Sequence, residues 1–214
     1  MTNIEKTIIY VKKELQQAEA GHDWFHIQRV YGLAIKIAET EICQLKVVQY
    51  AALLHDIADS KFHGGDETIG PRKARAFLET IAEETSVIDH VVQIIENISF
   101  KGGHFNQTFK SIELDIVQDA DRLDALGAIG IARAFNFGGY KNKSLFDPDI
   151  SPKLDMDKET YKKSDGPTIN HFYEKLLLLK DRMNTSSGKA LAQVRHDFML
   201  DFLSQFKNEW FQKI

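Results

Sequence analysis

The chain has 214 residues, 43% of them hydrophobic and 27% charged, with a formal net charge of −4. This is the profile of a soluble globular chain long enough to bury a sizeable core. The acidic balance removes the electrostatic case for a nucleic-acid polymer as main partner. No run approaches the roughly 18 apolar residues of a membrane span. The single cysteine, Cys43, excludes an internal disulfide and points to the cytoplasm.

Apolar residues recur at helical spacing and nowhere alternate for long, so the expected fold class is all-α. The opening MTNIEKTIIYVKKELQQAEAG is a charged amphipathic helix over 3–19 rather than a leader peptide. Asp23 ahead of WFHIQRV marks the cap of a second helix over 24–40. A third helix covers 44–58 and is apolar nearly all round, which makes it central. Pro71 sits in the first turn of a helix over 71–82, and Ser86 opens one over 86–98. Helices over 111–126 and 127–136 follow, with Gly102-Gly103 and Gly138-Gly139 as punctuation. Residues 137–166 are polar, rich in Lys and Asp, and contain Pro148 and Pro152. A loop of that length in a compact domain is usually functional or disordered. It is read either as a solvated excursion or as a lid carrying Tyr140, Lys141 and Lys143 toward an anionic ligand. Helices over 167–184 and 187–212 end the chain. The exposed terminal helices leave room for a homodimer without specifying one.

The chemistry starts at VVQYAALLHDIA, where Val47, Ala51, Leu54 and Ala58 share one side of the third helix. His55 and Asp56 lie about 100° apart near its C-terminal end. An ionised Asp there costs several kcal/mol unless a cation or hydrogen bonds compensate. A divalent metal compensates, with help from other helices. His26 shares its face with Val30, Leu33 and Ile37 and so points inward. In IVQDADRLDALG, Asp119 lies with Ile112, Ile116 and Leu123, whereas Asp121 lies with Leu114, Val117 and Ala125. Periodicity leaves open which of the two is the partner. A lone interior His is more often a hydrogen-bonded core residue, and the aspartates alone could be two surface groups and a cap.

At HDWFHIQRV, ALLHDIAD and QDADRLDALGAIG the chain resembles the HD-domain superfamily of metal-dependent phosphohydrolases. His55-Asp56 follows His26 after 29 residues, and Asp121 stands 65 beyond Asp56. The resemblance implies an HD-type helical bundle with additional C-terminal helices. It treats 1–214 as one HD-type domain, with a core over about 20–130, the loop or lid over 137–166 and helices over 167–214. It also implies a metal held by His26, His55, Asp56 and Asp121, the aspartate directly before Arg-Leu. Two imidazoles and two carboxylates suit one divalent transition metal, Mn²⁺ first, with Fe²⁺, Ni²⁺, Co²⁺ or Zn²⁺ as substitutes.

By the same resemblance, Asp56 and Asp59 are the catalytic carboxylates. Asp59 would position a water or move its proton while the metal lowers that water's pKa. Phosphate charge calls for cations, and Lys61 and Lys101 are the first candidates because each stands near glycines in a loop. Arg122 and Lys175 come next, and Asp66 and Tyr140 complete the expected substrate-binding set. The chain lacks the Gly-Tyr-Pro motif of members that cut cyclic dinucleotides, and HDIAD replaces the HDxGK of many di-metal members, which favours one metal ion. The implied activity is hydrolysis of (deoxy)nucleoside triphosphates to monophosphate and pyrophosphate. The alternatives are a 5′-nucleotidase acting on monophosphates and a catalytically silent nucleotide sensor.

Overall fold

Nine α-helices and one 3₁₀ helix, and no strand, occur among the described residues, as the apolar spacing requires. In this computed structural model the described residues are 1–16, 23–58, 66–98, 109–154 and 165–213. The chain packs as two compact units, Met1–Asp121 and Arg122–Ile214. None of the described helices is long and apolar enough to cross a membrane.

The first unit contains α1 (Asn3–Glu14), α2 (Trp24–Ala38), α3 (Leu45–Leu54), α4 (Ile69–Thr80) and α5 (Thr85–Ile98). It also takes in α6 (Ile112–Asp124) up to Asp121. Thr2 and Glu5 close a reciprocal capping box on α1, and Asp23 caps α2 by accepting from His26 N at 3.0 Å. α3 packs against α1, α2 and α5, and α4 packs against α5. All ten α3 residues are apolar except Lys46, Gln49 and the phenol of Tyr50, and Val47, Val48 and Ala51 to Leu54 have no exposure. Elsewhere, Lys12 Nζ stands 4.7 Å over the Trp24 ring.

α3 is pinned along its length. At its start, Gln44 N donates to the buried Glu113 Oε1 at 2.8 Å, and His90 Nε2 lies 3.4 Å from Glu113 Oε2. A carboxylate suits the positive end of a helix. The Cys43 thiol beside it is pushed up by burial and then by Glu113 and Glu41, which keeps it protonated. At mid-helix, the buried Tyr50 hydroxyl donates to Glu83, which also accepts from Asn3 Nδ2 at 2.7 Å and Lys46 Nζ at 3.3 Å. Burial pushes the Glu83 carboxyl up, but these hydrogen bonds outweigh it and hold the group below its ordinary 4.5.

The second unit contains α7 (Gly127–Tyr140), α8 (Thr168–Glu174), a 3₁₀ helix (Leu176–Arg182) and α9 (Ser186–Trp210). α9 packs on α7 and on the 3₁₀ helix, and α8 meets α7 and the 3₁₀ helix. Its buried core is largely aliphatic around Phe172, and a partly exposed aromatic row adjoins it: Phe135 meets Phe172, Phe202 and Phe206, and Trp210 stacks on Phe206 at 5.8 Å.

Several boundaries differ from the expectation: α1, expected to run to residue 19, is capped at Leu15, and three others carry a physical reason. The pattern carries α3 to residue 58, but the helix stops at Leu54 because the His55 ring takes a carbonyl of its last turn, Ala52 O. Gly138-Gly139 do not punctuate; they lie inside α7, which ends four residues later than the spacing predicts. A Cβ on Gly138 would stand 2.2 Å from Thr168 Oγ1, so the glycine is there for close approach of α8. Asn142, at φ 53°, turns the chain out of the helix while Lys143 N closes back on Gly138 O at 2.9 Å. Finally, the expected helix over 167–184 breaks at Lys175 (φ −145°, ψ −57°) into α8 and the 3₁₀ segment.

Two stability outcomes follow. Tyr50→Phe is expected to cost about 1–2 kcal/mol in urea melts at pH 7. Glu83 titrates low when folded, so its share is fully present above pH 4.5 and fades as pH falls through the folded value; parent and variant should converge in acid. Gly138→Ala is expected to cost about 1–3 kcal/mol by overpacking. Gly139→Ala, whose Cβ meets nothing within 4 Å, should be neutral or stabilising in the same melt.

Candidate metal centre

Two helix ends and one helix face supply the centre. His26 is in the first turn of α2, where the Asp23 cap fixes its backbone, and it is 2% exposed. His55 is the residue on which α3 ends, and Asp56 is the next in the turn. Asp121 lies in the last turns of α6. Gln118, one turn earlier, ties that helix to α5 by donating to Asn97 O at 3.1 Å.

One ligand atom from each of His26, His55 and Asp56 lies within 4.8 Å of the others. His26 Nε2 is 4.0 Å from Asp56 Oδ2 and 3.5 Å from Asp121 Oδ1. His55 Nε2 is 3.9 Å from the same Asp121 oxygen, and the two imidazoles meet edge to face at 5.4 Å. Donor atoms about 2.1 Å from a common ion stand about 3–4 Å apart, so these separations suit one cation.

The His55 ring carries the most telling detail. Its Nδ1 hydrogen donates to Ala52 O at 2.9 Å, which leaves the lone pair on Nε2. That Nε2 is buried and has no hydrogen-bond partner. A buried acceptor without a donor costs about 1–3 kcal/mol, and a cation removes the cost. A ring held by one nitrogen against a backbone carbonyl, with the other nitrogen bare, is the usual preparation of a metal-ligating histidine. The residues therefore fit a divalent metal. The Asp121 side chain is 40% exposed, against 19% for Asp56, so the group opens to solvent on the Asp121 side.

The structure thus groups His26, His55 and Asp56, with Asp121 Oδ1 within 4 Å of both imidazoles. Asp119 is fully buried, yet Asp121 is the carboxylate that reaches both imidazoles. Asp124 is occupied by Arg133, whose Nη1 donates to its Oδ2 at 2.6 Å. Asp66 is occupied by local bonds: its Oδ1 accepts from Thr68 N at 2.9 Å and Thr68 Oγ1 at 2.6 Å, and its Oδ2 from Arg72 at 3.2 Å. Tyr140 belongs to the second unit, where it ends α7 with 71% exposure and Lys141 Nζ lies 5.1 Å over its ring. Arg122 donates to Arg182 O at 2.5 Å. Asp59, Lys61 and Lys101 lie outside the described residues. Sequence reasoning missed Glu113 and His90, which set the start of the helix that ends in His55; a pairing across 69 residues leaves no local signal.

Comparison with known proteins gives the family. The HD domain family matches residues 24–126. The chain is 37% identical to the Bacillus subtilis protein YpgQ over 210 residues, 96% of this chain and 92% of that one. A solved HD-superfamily hydrolase from Bacillus thuringiensis shares 45% identity at a TM-score of 0.78, covering 97% of this chain and 96% of that one. A solved Lactobacillus plantarum protein shares 35% identity at a TM-score of 0.82 over 99% of both chains. YpgQ has been solved in complex with ADP, and that structure matches at 36% identity and a TM-score of 0.75 over 97% of both chains.

Adding Mn²⁺ to metal-stripped protein is expected to raise the melting temperature, because a ligand of the folded state stabilises it by mass action. His55→Ala should abolish the shift. A shift that survives in His55→Ala would place the cation elsewhere.

Proposed function

The chain belongs to the HD domain family of metal-dependent phosphohydrolases, and from that premise we propose that it hydrolyses (deoxy)nucleoside triphosphates to monophosphate and pyrophosphate. The observation that carries the reading is the convergence of His26, His55, Asp56 and Asp121 around the bare His55 Nε2. A nucleotide as substrate is supported by the ADP seen with YpgQ, a relative over nearly the whole chain. In this proposal the two imidazoles and two carboxylates hold one divalent ion, Mn²⁺ first. When bound, such an ion supplies Lewis acidity and lowers the pKa of a coordinated water.

The protein's own groups then have separate tasks. His26 and His55 bind as neutral rings through Nε2, so they add no charge to the site. Asp56 and Asp121 would offset the charge of a bound cation. Water oxygen bonds to the α-phosphorus as the bond to the bridging oxygen of the β-phosphate breaks. Pyrophosphate leaves with the bonding pair, and Asp59 takes the proton released by the water. Lys61 and Lys101 neutralise charge on the phosphoryl oxygens. Asp66, held by Thr68 and Arg72, and the exposed Tyr140 ring are the remaining proposed substrate contacts.

The test is a turnover assay on metal-stripped protein with Mn²⁺ restored, against nucleoside mono-, di- and triphosphates. Monophosphate and pyrophosphate from triphosphates are expected. Nucleoside and phosphate from monophosphates would replace the proposal with a 5′-nucleotidase, and tight nucleotide binding without turnover would replace it with a sensor. Asp59→Ala should keep the metal and lose about 100-fold or more in kcat; loss of metal would make Asp59 a ligand instead.

A further inference from the structure

The second unit holds a feature that the hydrolytic site does not use. Between residues 146–152 and helices α8 and α9 lies an open cleft of about 350 Å³, lined in part by Phe146, Pro148, Ile150, Asn170, Tyr173 and Lys207. That size is at the small end of ligand pockets, roughly 300–1,000 Å³. Its outer wall is part of the segment expected to be a lid, and it is fastened. Thr168 N donates to Ser144 O at 2.9 Å and Ile169 N to Leu145 O at 3.0 Å. Asn170 Nδ2 donates to Ile150 O at 2.9 Å, and Lys153 N to Glu174 Oε1 at 3.0 Å. Phe146 is wedged edge-on between Phe206 and Trp210 at 6.1 and 5.3 Å. A wall tied at both ends to α8 keeps its cleft without needing an occupant to prop it open.

The lining carries polar groups on Ser151, Asn170, Tyr173 and Lys207, and two of them bear on a ligand. Asn170 is 1% exposed; its Nδ2 is committed to Ile150 O, and its Oδ1 receives no hydrogen bond from a described residue. Lys207 Nζ stands 4.9 Å over the Tyr173 ring, and no acidic side chain is in the lining. A ring face holds an ammonium more weakly than a charge-assisted hydrogen bond does. The remaining wall is two prolines, an isoleucine, a phenylalanine and Ser151. Apolar walls with one cation and one amide oxygen define a complementary molecule.

We propose that this cleft binds a small flat-ring compound that carries one acidic group, phosphate or carboxylate, and an N–H donor. The ring lies against Phe146 and the prolines, the acidic group pairs with Lys207, and the N–H meets Asn170 Oδ1. The site shares no residue with the His–Asp centre and needs no metal.

Equilibrium dialysis of the full chain in EDTA, with AMP and with indole-3-acetate as separate probes, tests this. Saturable one-to-one binding of AMP alone identifies a phosphate ligand, and binding of indole-3-acetate alone a carboxylate. In either case Lys207→Met should weaken binding about tenfold, the loss of one charge-assisted contact. Ser151→Trp, at an exposed position in the lining, should fill the space and remove binding while Mn²⁺ uptake stays unchanged. Absence of saturable binding of both probes, binding that survives both variants, or binding lost in His55→Ala would overturn the proposal.

Discussion

One unpaid polar group organises the first unit: the lone pair on His55 Nε2, out of water and without a donor. Nothing among the described residues satisfies it, yet the surroundings hold it in place. The opposite ring nitrogen is bound to the end of the helix it belongs to, so the imidazole cannot rotate to relieve itself without giving up Ala52 O. Two carboxylate oxygens and a second imidazole face the same point. Lone pairs and negative charge gathered in this way repel one another in a medium of reduced dielectric, and only a cation turns that repulsion into binding.

A site of this kind tolerates little slack, because ligand atoms misplaced by a fraction of an ångström lose geometry. The helix leading to His55 is correspondingly constrained. Glu113 holds the backbone N–H of its N-cap Gln44, the Tyr50–Glu83–Asn3–Lys46 network holds its middle, and its apolar residues other than Leu45 are buried. α6, which brings Asp121, is tied to α5 through Gln118 and Asn97. The polar bonds thus fix the direction and axial position of elements whose burial the apolar residues secure.

What could be read in advance divides along the same line. Helix existence follows from spacing, so the helices stand near their expected places and His26 faces inward as its neighbours Val30 and Ile37 indicate. The choice between Asp119 and Asp121 could not come from periodicity. An argument from burial would have favoured Asp119, which has no exposure, whereas a group at an open site keeps one side toward solvent, as Asp121 does. Gly138-Gly139 misled because glycine in a sequence suggests a turn, while here the missing Cβ admits Thr168. Asn142, a less conspicuous signal, ends the helix. Asp66, expected among the substrate contacts, makes local bonds to Thr68 and Arg72 that no spacing in the sequence announces. Contacts across tens of residues, such as Glu113 to Gln44, have no signature in one sequence.

The placement of the two tryptophans gives the molecule a built-in pair of reporters. Trp24 lies under Lys12 in the first unit, and Trp210 stacks on Phe206 in the second. Indole emission responds to the polarity and quenchers around it, so single-tryptophan versions would watch each unit melt by itself. Coincident transitions would mean that the chain unfolds as one cooperative body; separated ones would assign each unit its own free energy.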